Sequence, residues 1–182
     1  MTLTRLKTFP AVLSFLPLHQ DIAMFHTADQ SRTPNYDELD RQLASLFEGE
    51  RDFIANAAQF SAFIYQTLDA LNWAGFYLAR GDELVLGPFQ GKVACVRIPF
   101  GRGVCGTAAQ QRETIVVDDV HAFPGHIACD AASNAEIVLP VIKDGRLVGV
   151  FDIDSPETHR FSAADKLGLE KLLARFVAAT DL

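Results

Sequence analysis

Three cysteines, Cys95, Cys105 and Cys129, are the residues of this 182-residue chain that are best suited to covalent chemistry. A cysteine becomes a nucleophile when part of its population is thiolate at neutral pH, and a loop or a helix start supplies amide dipoles that lower the thiol pKa. Cys129 lies in an irregular segment of small and polar residues, and Cys105 lies at the predicted start of a helix, so both fit. Cys95 alternates with Val93 and Arg97 on a predicted strand. We therefore expect Cys129 to be the nucleophile.

Less reactive roles are also open to these cysteines. Buried cysteines often act as small hydrophobic residues, so two of the three can be ordinary core. A metal site is not expected, because the sequence has no C-x-x-C or H-x-x-x-H pair, and His121 and His126 lack structural-zinc spacing relative to the cysteines. Three cysteines are too few, and of the wrong parity, for a disulfide scaffold, which favours a reducing, cytoplasmic compartment.

Carboxylates form a second set of candidate residues. Asp152 and Asp154 alternate along one predicted strand, so both side chains lie on the same face. Glu136 opens the preceding strand, and a hairpin turn at 144–145 makes the two strands antiparallel neighbours, which brings the three acids to one end of the sheet near Cys129. Carboxylates that are this close raise one another's pKa, and such a cluster suits binding of a substrate ammonium and proton delivery to a departing oxygen. The alternative is a solvated sheet edge, where acidic residues are common.

Aromatic residues on an earlier strand offer a possible pocket wall. Trp73 and Tyr77 are more often core residues in such a position, but Trp73 stands at the strand start, where its indole suits a small pocket. The glycine-rich run Gly101-Arg-Gly-Val-Cys-Gly106 is a weak phosphate signal, because the nearby acids do not suit an anion.

The elements that must position these residues follow from hydrophobic periodicity. Helical spacing predicts two helices that begin near Tyr36 and Phe53, a short crossing helix over 104–112, and a final helix with Ser162 as its N-cap. Alternation and turn signals predict strands at 73–80, 83–87, 94–99, 114–117, 136–143 and 146–154, with a long loop over 118–135. We predict an α+β fold, a single domain in which helices pack on an antiparallel sheet.

Composition and charge exclude several classes of function. The chain is 49% hydrophobic and 21% charged, which is typical of a globular domain. Its net charge is −7 and it has no long Lys/Arg cluster, which argues against nucleic-acid binding. No apolar run reaches the roughly 18–20 residues of a membrane-spanning helix. Residues 1–23 have mixed character, so we interpret them as an extension, either a misassigned start or disordered, that precedes the domain at 24–182.

Several longer stretches resemble the free methionine-(R)-sulfoxide reductases, which are GAF-domain proteins. The resemblance runs from about Met24 to the C-terminus and implies a GAF-like fold. The matching stretches include Asn72-Trp-Ala-Gly-Phe-Tyr, Gly87-Pro-Phe-Gln-Gly-Lys, Ala94-Cys-Val-Arg-Ile-Pro, Gly101-Arg-Gly-Val-Cys-Gly-Thr-Ala, Gly125-His-Ile-Ala-Cys-Asp-Ala-Ala-Ser-Asn and Val150-Phe-Asp-Ile-Asp-Ser.

The resemblance implies roles for individual residues. Cys129 would attack the sulfoxide sulfur and become a sulfenic acid, Cys95 would resolve it as a disulfide, and Cys105 resembles a secondary resolving thiol. Thioredoxin reduces the disulfide in this family, so the resemblance implies that no metal or organic cofactor is needed. The remaining matches are substrate-binding acids and aromatic residues beside the pocket: Glu136, Asp152, Asp154, Trp73 and Tyr77.

Two rival interpretations remain open at this point. A GAF-type sensor would bind a small molecule without turnover, and a thiol redox switch would form the same disulfide without a substrate. If the chain is the enzyme, its substrate is free methionine-(R)-sulfoxide, because only the free amino acid offers an α-ammonium to the acids. The sequence leaves the oligomeric state open, with a homodimer as one expectation.

Overall fold

A computed structural model describes residues 34–125 and 131–182. In these residues a six-stranded sheet has the order β3-β2-β1-β6-β5-β4, and every neighbouring pair is antiparallel. None of the helices in these two ranges is long and apolar enough to cross a membrane. The elements are α1 (Tyr36–Leu46), α2 (Phe53–Thr67), β1 (Trp73–Arg80), β2 (Glu83–Gly91), β3 (Arg97–Pro99), α3 (Gly103–Gln111), β4 (Ile115–Val117), a 3-10 turn (Val120–Ala122), β5 (Ala135–Lys143), β6 (Arg146–Ser155) and α4 (Ala163–Ala179).

Local sequence signals explain why these elements begin and end where they do. Ser162 caps α4 in a reciprocal capping box, in which its side chain accepts from the backbone of Asp165 while the Asp165 carboxylate accepts from the backbone of Ser162. Asp144 and Gly145 join β5 to β6 with positive φ angles of 51° and 75°, as a two-residue hairpin turn requires. The predicted helices, the α4 cap and the β5–β6 hairpin are thus confirmed, as is the α+β class with an antiparallel sheet. The predicted boundary at Met24 lies outside the described residues.

One face of the sheet carries an aromatic core beneath α1, α2 and α4. Phe60 of α2 is fully buried at its centre, and its ring centroid lies 4.7 Å from that of Phe151, 5.4 Å from Phe176 and 5.8 Å from Phe76. Aromatic pairs at these distances stabilise a core beyond the area that they bury. These rings lie in the larger of the two hydrophobic clusters.

Phe60→Ala should therefore destabilise the domain by about 3–5 kcal/mol, because it removes a large buried ring and leaves a cavity among three others. Denaturant unfolding monitored by circular dichroism would measure the loss. Tyr65→Phe on the same helix, which removes only a hydroxyl from a half-buried ring, is the control and should change the free energy of unfolding by less than about 1 kcal/mol. Equal effects of the two substitutions would contradict this assignment of the core.

The opposite face of the sheet is covered by α3. Because side chains alternate along a strand, Trp73 and Tyr77 of β1 point away from the aromatic core and join Val104 and Cys105 of α3 in a second apolar cluster. The sheet is thus buried on both faces, and the second cluster is the smaller of the two.

The third strand is shorter than the sequence predicts. The prediction placed Cys95 on a strand over 94–99, but β3 begins only at Arg97 and Cys95 lies in the preceding irregular segment. The ladder between β2 and β3 pairs no residue of β2 beyond Val85. Past that point β2 contains Pro88, which has no N–H to donate to a ladder, and β1 has a register shift between 75 and 77.

Candidate active site

The register of β5 and β6 brings the predicted acids onto the face that α3 covers. Asp154 pairs with Glu136 on one side and with Trp73 on the other. Asp152, two residues earlier on the same face, pairs with Val138 and with Gly75. Three acids and one indole therefore converge at one end of the sheet.

Two of these acids are buried rather than solvated. Glu136 and Asp152 are each only 6% exposed, while Asp154 is half-buried at the rim. The Cys105 thiol donates to Glu136 Oε1 over 3.7 Å, and one donor atom from each of Cys105, Glu136 and Asp152 lies within 4.8 Å of the other two. Asp152 Oδ1 is buried and has no hydrogen-bond partner among the described residues. The alternative of a solvated sheet edge is therefore wrong for this pair.

Burial makes the two acids hold protons at an unusually high pH. The pKa of Glu136 is raised well above its ordinary value, first by burial and then by the charges of Asp152 and Asp154. Burial also raises the pKa of Asp152, to about 7, although hydrogen bonds from Cys105 and Glu136 work in the opposite direction. An acid whose pKa lies near neutrality can both hold a proton and release it to a reacting group.

Cys105 does not have the reactive environment that the sequence predicted for it. It lies in the first turn of α3 as expected, but burial and the neighbouring carboxylates raise its thiol pKa instead of lowering it. The desolvation of the thiolate and the repulsion from Glu136 and Asp152 outweigh the helix dipole. Cys105 is a free, neutral thiol that donates a hydrogen bond.

The three donors around Cys105 also bear on metal binding. Thiol and carboxylate groups ligate a metal only after they lose their protons. The raised pKa values of Cys105, Glu136 and Asp152 mean that the cluster holds protons at neutral pH, so its chemistry suits proton transfer better than cation binding. The expectation that no metal is needed stays a prediction.

An aromatic wall stands beside the acids. The Trp73 indole Nε1 donates to the carbonyl of Lys92 over 3.1 Å, and the indole stacks between Phe89 at 5.3 Å and Tyr77 at 5.7 Å. Burial and the nearby acids, Asp152 first among them, raise the pKa of Tyr77, so its hydroxyl stays protonated. The structure thus groups Trp73 and Tyr77 with the predicted acids.

Sequence reasoning missed two residues of this wall, Phe89 and Gly75. They face each other in the β1–β2 ladder, and a Cβ added to Gly75 would lie 2.3 Å from Phe89 Cβ and 2.7 Å from the Trp73 ring. Only glycine leaves room for both rings in front of Asp152. Extending the ladder from the predicted turn at 81–82 would have paired Gly75 with Pro88, so the register shift between 75 and 77 hides the pair from sequence reasoning.

Cys129, the predicted nucleophile, lies in the stretch 126–130, outside the described residues. The chain on either side of that stretch is tied to the acid end of the sheet. Asn134 donates its backbone N–H to Ser155 over 2.7 Å and accepts at its carbonyl from Val120 over 2.9 Å. Ser133 accepts from the side-chain amide of Asn72 over 3.0 Å.

The two cysteines in the described residues differ in their redox state. Cys95 is disulfide-bonded and half-buried, and it packs against the second apolar cluster. Cys105 is buried and carries a free thiol. Of these two residues, Cys95 is therefore the one already engaged in disulfide chemistry.

Comparison with known proteins decides the family. The GAF domain family matches residues 30–180. The free methionine-R-sulfoxide reductase of Escherichia coli K12 is 52% identical over 154 residues, which cover 83% of this chain and 93% of that protein. The chain belongs to the free methionine-R-sulfoxide reductase family of GAF-domain proteins.

Solved structures agree with this placement in the reductase family. The chain superposes with a TM-score of 0.79 on the free methionine-R-sulfoxide reductase of Neisseria meningitidis in complex with its substrate, at 43% identity and with coverage of 85% of this chain and 93% of that one. It also superposes, with a TM-score of 0.77 and 62% identity, on a Burkholderia vietnamiensis protein named as a GAF sensor, with coverage of 80% and 92%. The GAF-like fold predicted from the sequence is confirmed.

Proposed function

We propose that this member of the family reduces free L-methionine-(R)-sulfoxide to methionine with a cysteine thiolate. The observation that carries the proposal is the buried pair of Glu136 and Asp152, which holds a proton near neutral pH beside the aromatic wall of Trp73 and Phe89. Reduction of a sulfoxide requires an acid that protonates its oxygen, and an apolar surface suits its methyl group. The similarity to named reductases supports the same activity.

The first step transfers the sulfoxide oxygen to Cys129. The thiolate attacks the sulfoxide sulfur and forms an S–S bond while the sulfoxide oxygen takes a proton from the Glu136–Asp152 pair. The hydroxyl then bonds to the cysteine sulfur as the S–S bond and the S–O bond to the substrate sulfur break, which leaves a sulfenic acid on Cys129. The substrate sulfur gains two electrons and leaves as the thioether of methionine, while the cysteine sulfur loses two. Asp152 Oδ1 has no hydrogen-bond partner in the part of the chain that the structure describes, so we assign it the role of accepting a hydrogen bond from the substrate.

Recognition of a free amino acid comes from the same acids. Asp154 stands half-buried at the rim and its charge reaches the buried pair, so it is placed to attract the α-ammonium group of the substrate. A peptide-bound methionine sulfoxide has no α-ammonium group and cannot form this charge-assisted contact with Asp154. Trp73 and Tyr77 supply the wall on the opposite side.

The cycle closes through Cys95 and an external dithiol. The Cys95 thiol condenses with the sulfenic acid, forms a disulfide and releases water, and a thioredoxin then reduces that disulfide. Two observations support Cys95, rather than Cys105, as the resolving thiol: Cys95 is disulfide-bonded, and the thiol pKa of Cys105 is raised. Cys105 acts as a secondary thiol that hydrogen-bonds to Glu136. No metal or organic cofactor takes part, and the cytoplasm supplies the reducing environment.

A substrate panel tests the proposal. The purified protein is assayed with thioredoxin, thioredoxin reductase and NADPH on free methionine-R-sulfoxide, on the S epimer, and on a peptide-bound R-sulfoxide. Turnover is expected for the free R epimer, with rates at least tenfold lower for the other two. Turnover of the peptide-bound form alone would overturn the proposal, and so would no turnover of any substrate with thioredoxin or with dithiothreitol.

A sensor without turnover is the second candidate, favoured by the relative named as a GAF sensor. A sensor would bind free methionine-R-sulfoxide without converting it, and calorimetry would then show the same binding heat for wild type and Cys129→Ser. A thiol switch would show no change in its thiol count when the sulfoxide is added. Catalytic release of methionine excludes both.

A further inference from the structure

The segment 92–96, between β2 and β3, exposes two valines on either side of Cys95. Val93 is 88% exposed and Val96 is 64% exposed. Among the large hydrophobic side chains in the described residues, only Ile54 and Leu167 are comparably exposed, at 60% and 68%. Two of these four residues thus flank Cys95, which is the disulfide-bonded cysteine within residues 34–125 and 131–182.

The exposure of these valines is fixed by the backbone. At one end of the segment, the carbonyl of Lys92 accepts from the Trp73 indole over 3.1 Å. At the other end, the carbonyl of Val96 accepts from the backbone N–H of Leu86 over 3.0 Å. Between these anchors, Cys95 packs inward against the second apolar cluster. The inward position of Cys95 and the two anchors leave the valines on the solvent side.

The chemistry at Cys95 indicates what would cover them. A disulfide is reduced when a thiolate of the reductant bonds to one of its sulfurs, the S–S bond breaks, and the second thiol of the reductant releases the mixed disulfide. The reductant ends as a disulfide, and the two protein cysteines regain their thiols. The reductant must therefore dock beside Cys95, and redox encounters of this kind use small interfaces, below about 1,200 Å². Apolar side chains at the centre of such a small interface allow the reductant to bind and then dissociate.

We propose that Val93 and Val96, the valine patch, form the docking surface for a dithiol protein of the thioredoxin class. The proposal rests on the proposed function, because it assigns the surface through which the Cys95 disulfide is recycled. The valine patch affects the binding of the reductant and not the reduction of the sulfoxide.

Substitution of both valines tests the patch. In Val93→Ser/Val96→Ser, the apparent KM for thioredoxin should rise roughly tenfold or more, the loss expected when two valines no longer become buried. The same variant should be recycled by dithiothreitol within about twofold of wild type, because a small dithiol needs no docking surface. Ile54→Ser/Leu167→Ser makes the same chemical change elsewhere on the surface and should alter neither value.

The outcomes separate this proposal from the proposed function. If wild type fails to reduce free methionine-R-sulfoxide even with dithiothreitol, the proposed function fails. If wild type is active but the valine-patch variant keeps its KM for thioredoxin, only the docking surface is wrong. The docking surface is also overturned if the variant slows equally with dithiothreitol, or if sedimentation shows that it changes self-association, which would mean that a second copy covers the valines.

Discussion

Cys129→Ser is expected to lower kcat/KM for free methionine-R-sulfoxide by about a thousandfold or more, with either thioredoxin or dithiothreitol as reductant. A serine hydroxyl is not ionised at neutral pH and cannot form the sulfenic acid that carries the oxygen away. Quantifying methionine released by the pre-reduced protein, without any recycling reductant, isolates this step. Wild type should release about one methionine per chain, and Cys129→Ser should release none.

The other two cysteines provide matched controls for this experiment. Cys95→Ser should still release the first methionine but should lose recycling through the disulfide, because no thiol then resolves the sulfenic acid efficiently. Cys105→Ser should keep a measurable first turnover, since Cys105 is a neutral buried donor to Glu136. A result in which Cys105→Ser loses the first turnover while Cys129→Ser keeps it would exchange the roles of the two cysteines.

The second large effect concerns the buried acids and has two opposite parts. Asp152→Asn should lower kcat/KM by about a hundredfold or more, because the pair can no longer hold and release the same proton. The same substitution should raise the thermal stability of the domain above pH 7. This single substitution should thus lower activity and raise stability. Such opposite effects are common where an active site keeps a buried ionisable group that lowers the stability of the fold.

The pH at which the stability gain develops follows from the raised pKa. In the folded protein Asp152 keeps its proton up to about pH 7, whereas in the unfolded chain it ionises near its ordinary value of 3.8. Between those two values the folded state binds more protons than the unfolded state, so the free energy of unfolding falls as the pH rises. The difference in Tm between Asp152→Asn and wild type should therefore grow from pH 4 to pH 7 and then level off.

Thermal melts at pH 5 and pH 8 would measure this difference. Asp144→Asn is a suitable control, because Asp144 is exposed in the turn of the same hairpin and asparagine also accepts its positive φ angle. Its effect on Tm should be small and nearly independent of pH. If Asp152→Asn lowers Tm equally at both pH values, the side chain stabilises the fold and the assignment of a costly buried acid is wrong. Glu136→Gln should behave like Asp152→Asn, in activity and in stability.

The sequence by itself determined those features that depend on neighbours along the chain. The cap of Ser162 with Asp165, the hairpin turn at 144–145 and the shared face of Asp152 and Asp154 each follow from a few consecutive residues. The pairing of β5 with β6 then follows from that turn, but the regular register would place Glu136 opposite Ile153, and only the shift between 141 and 142 places it opposite Asp154. The sequence alone therefore predicted the end of the sheet where the acids lie, whereas the register shift decided that Glu136 shares a face with Asp152 and Asp154.

Tertiary structure decided the electrostatic character of those residues. The helix start predicted a lowered thiol pKa for Cys105, but α3 places that thiol in the buried cluster with Glu136 and Asp152, and the loss of solvent reverses the shift. Likewise, Cys95 lies outside the strand that the sequence predicted for it, because the β2–β3 ladder ends at the pair of Val85 and Arg97. The burial of a residue and the length of a strand pairing depend on contacts between residues that are distant in the sequence, so a local sequence pattern does not predict them.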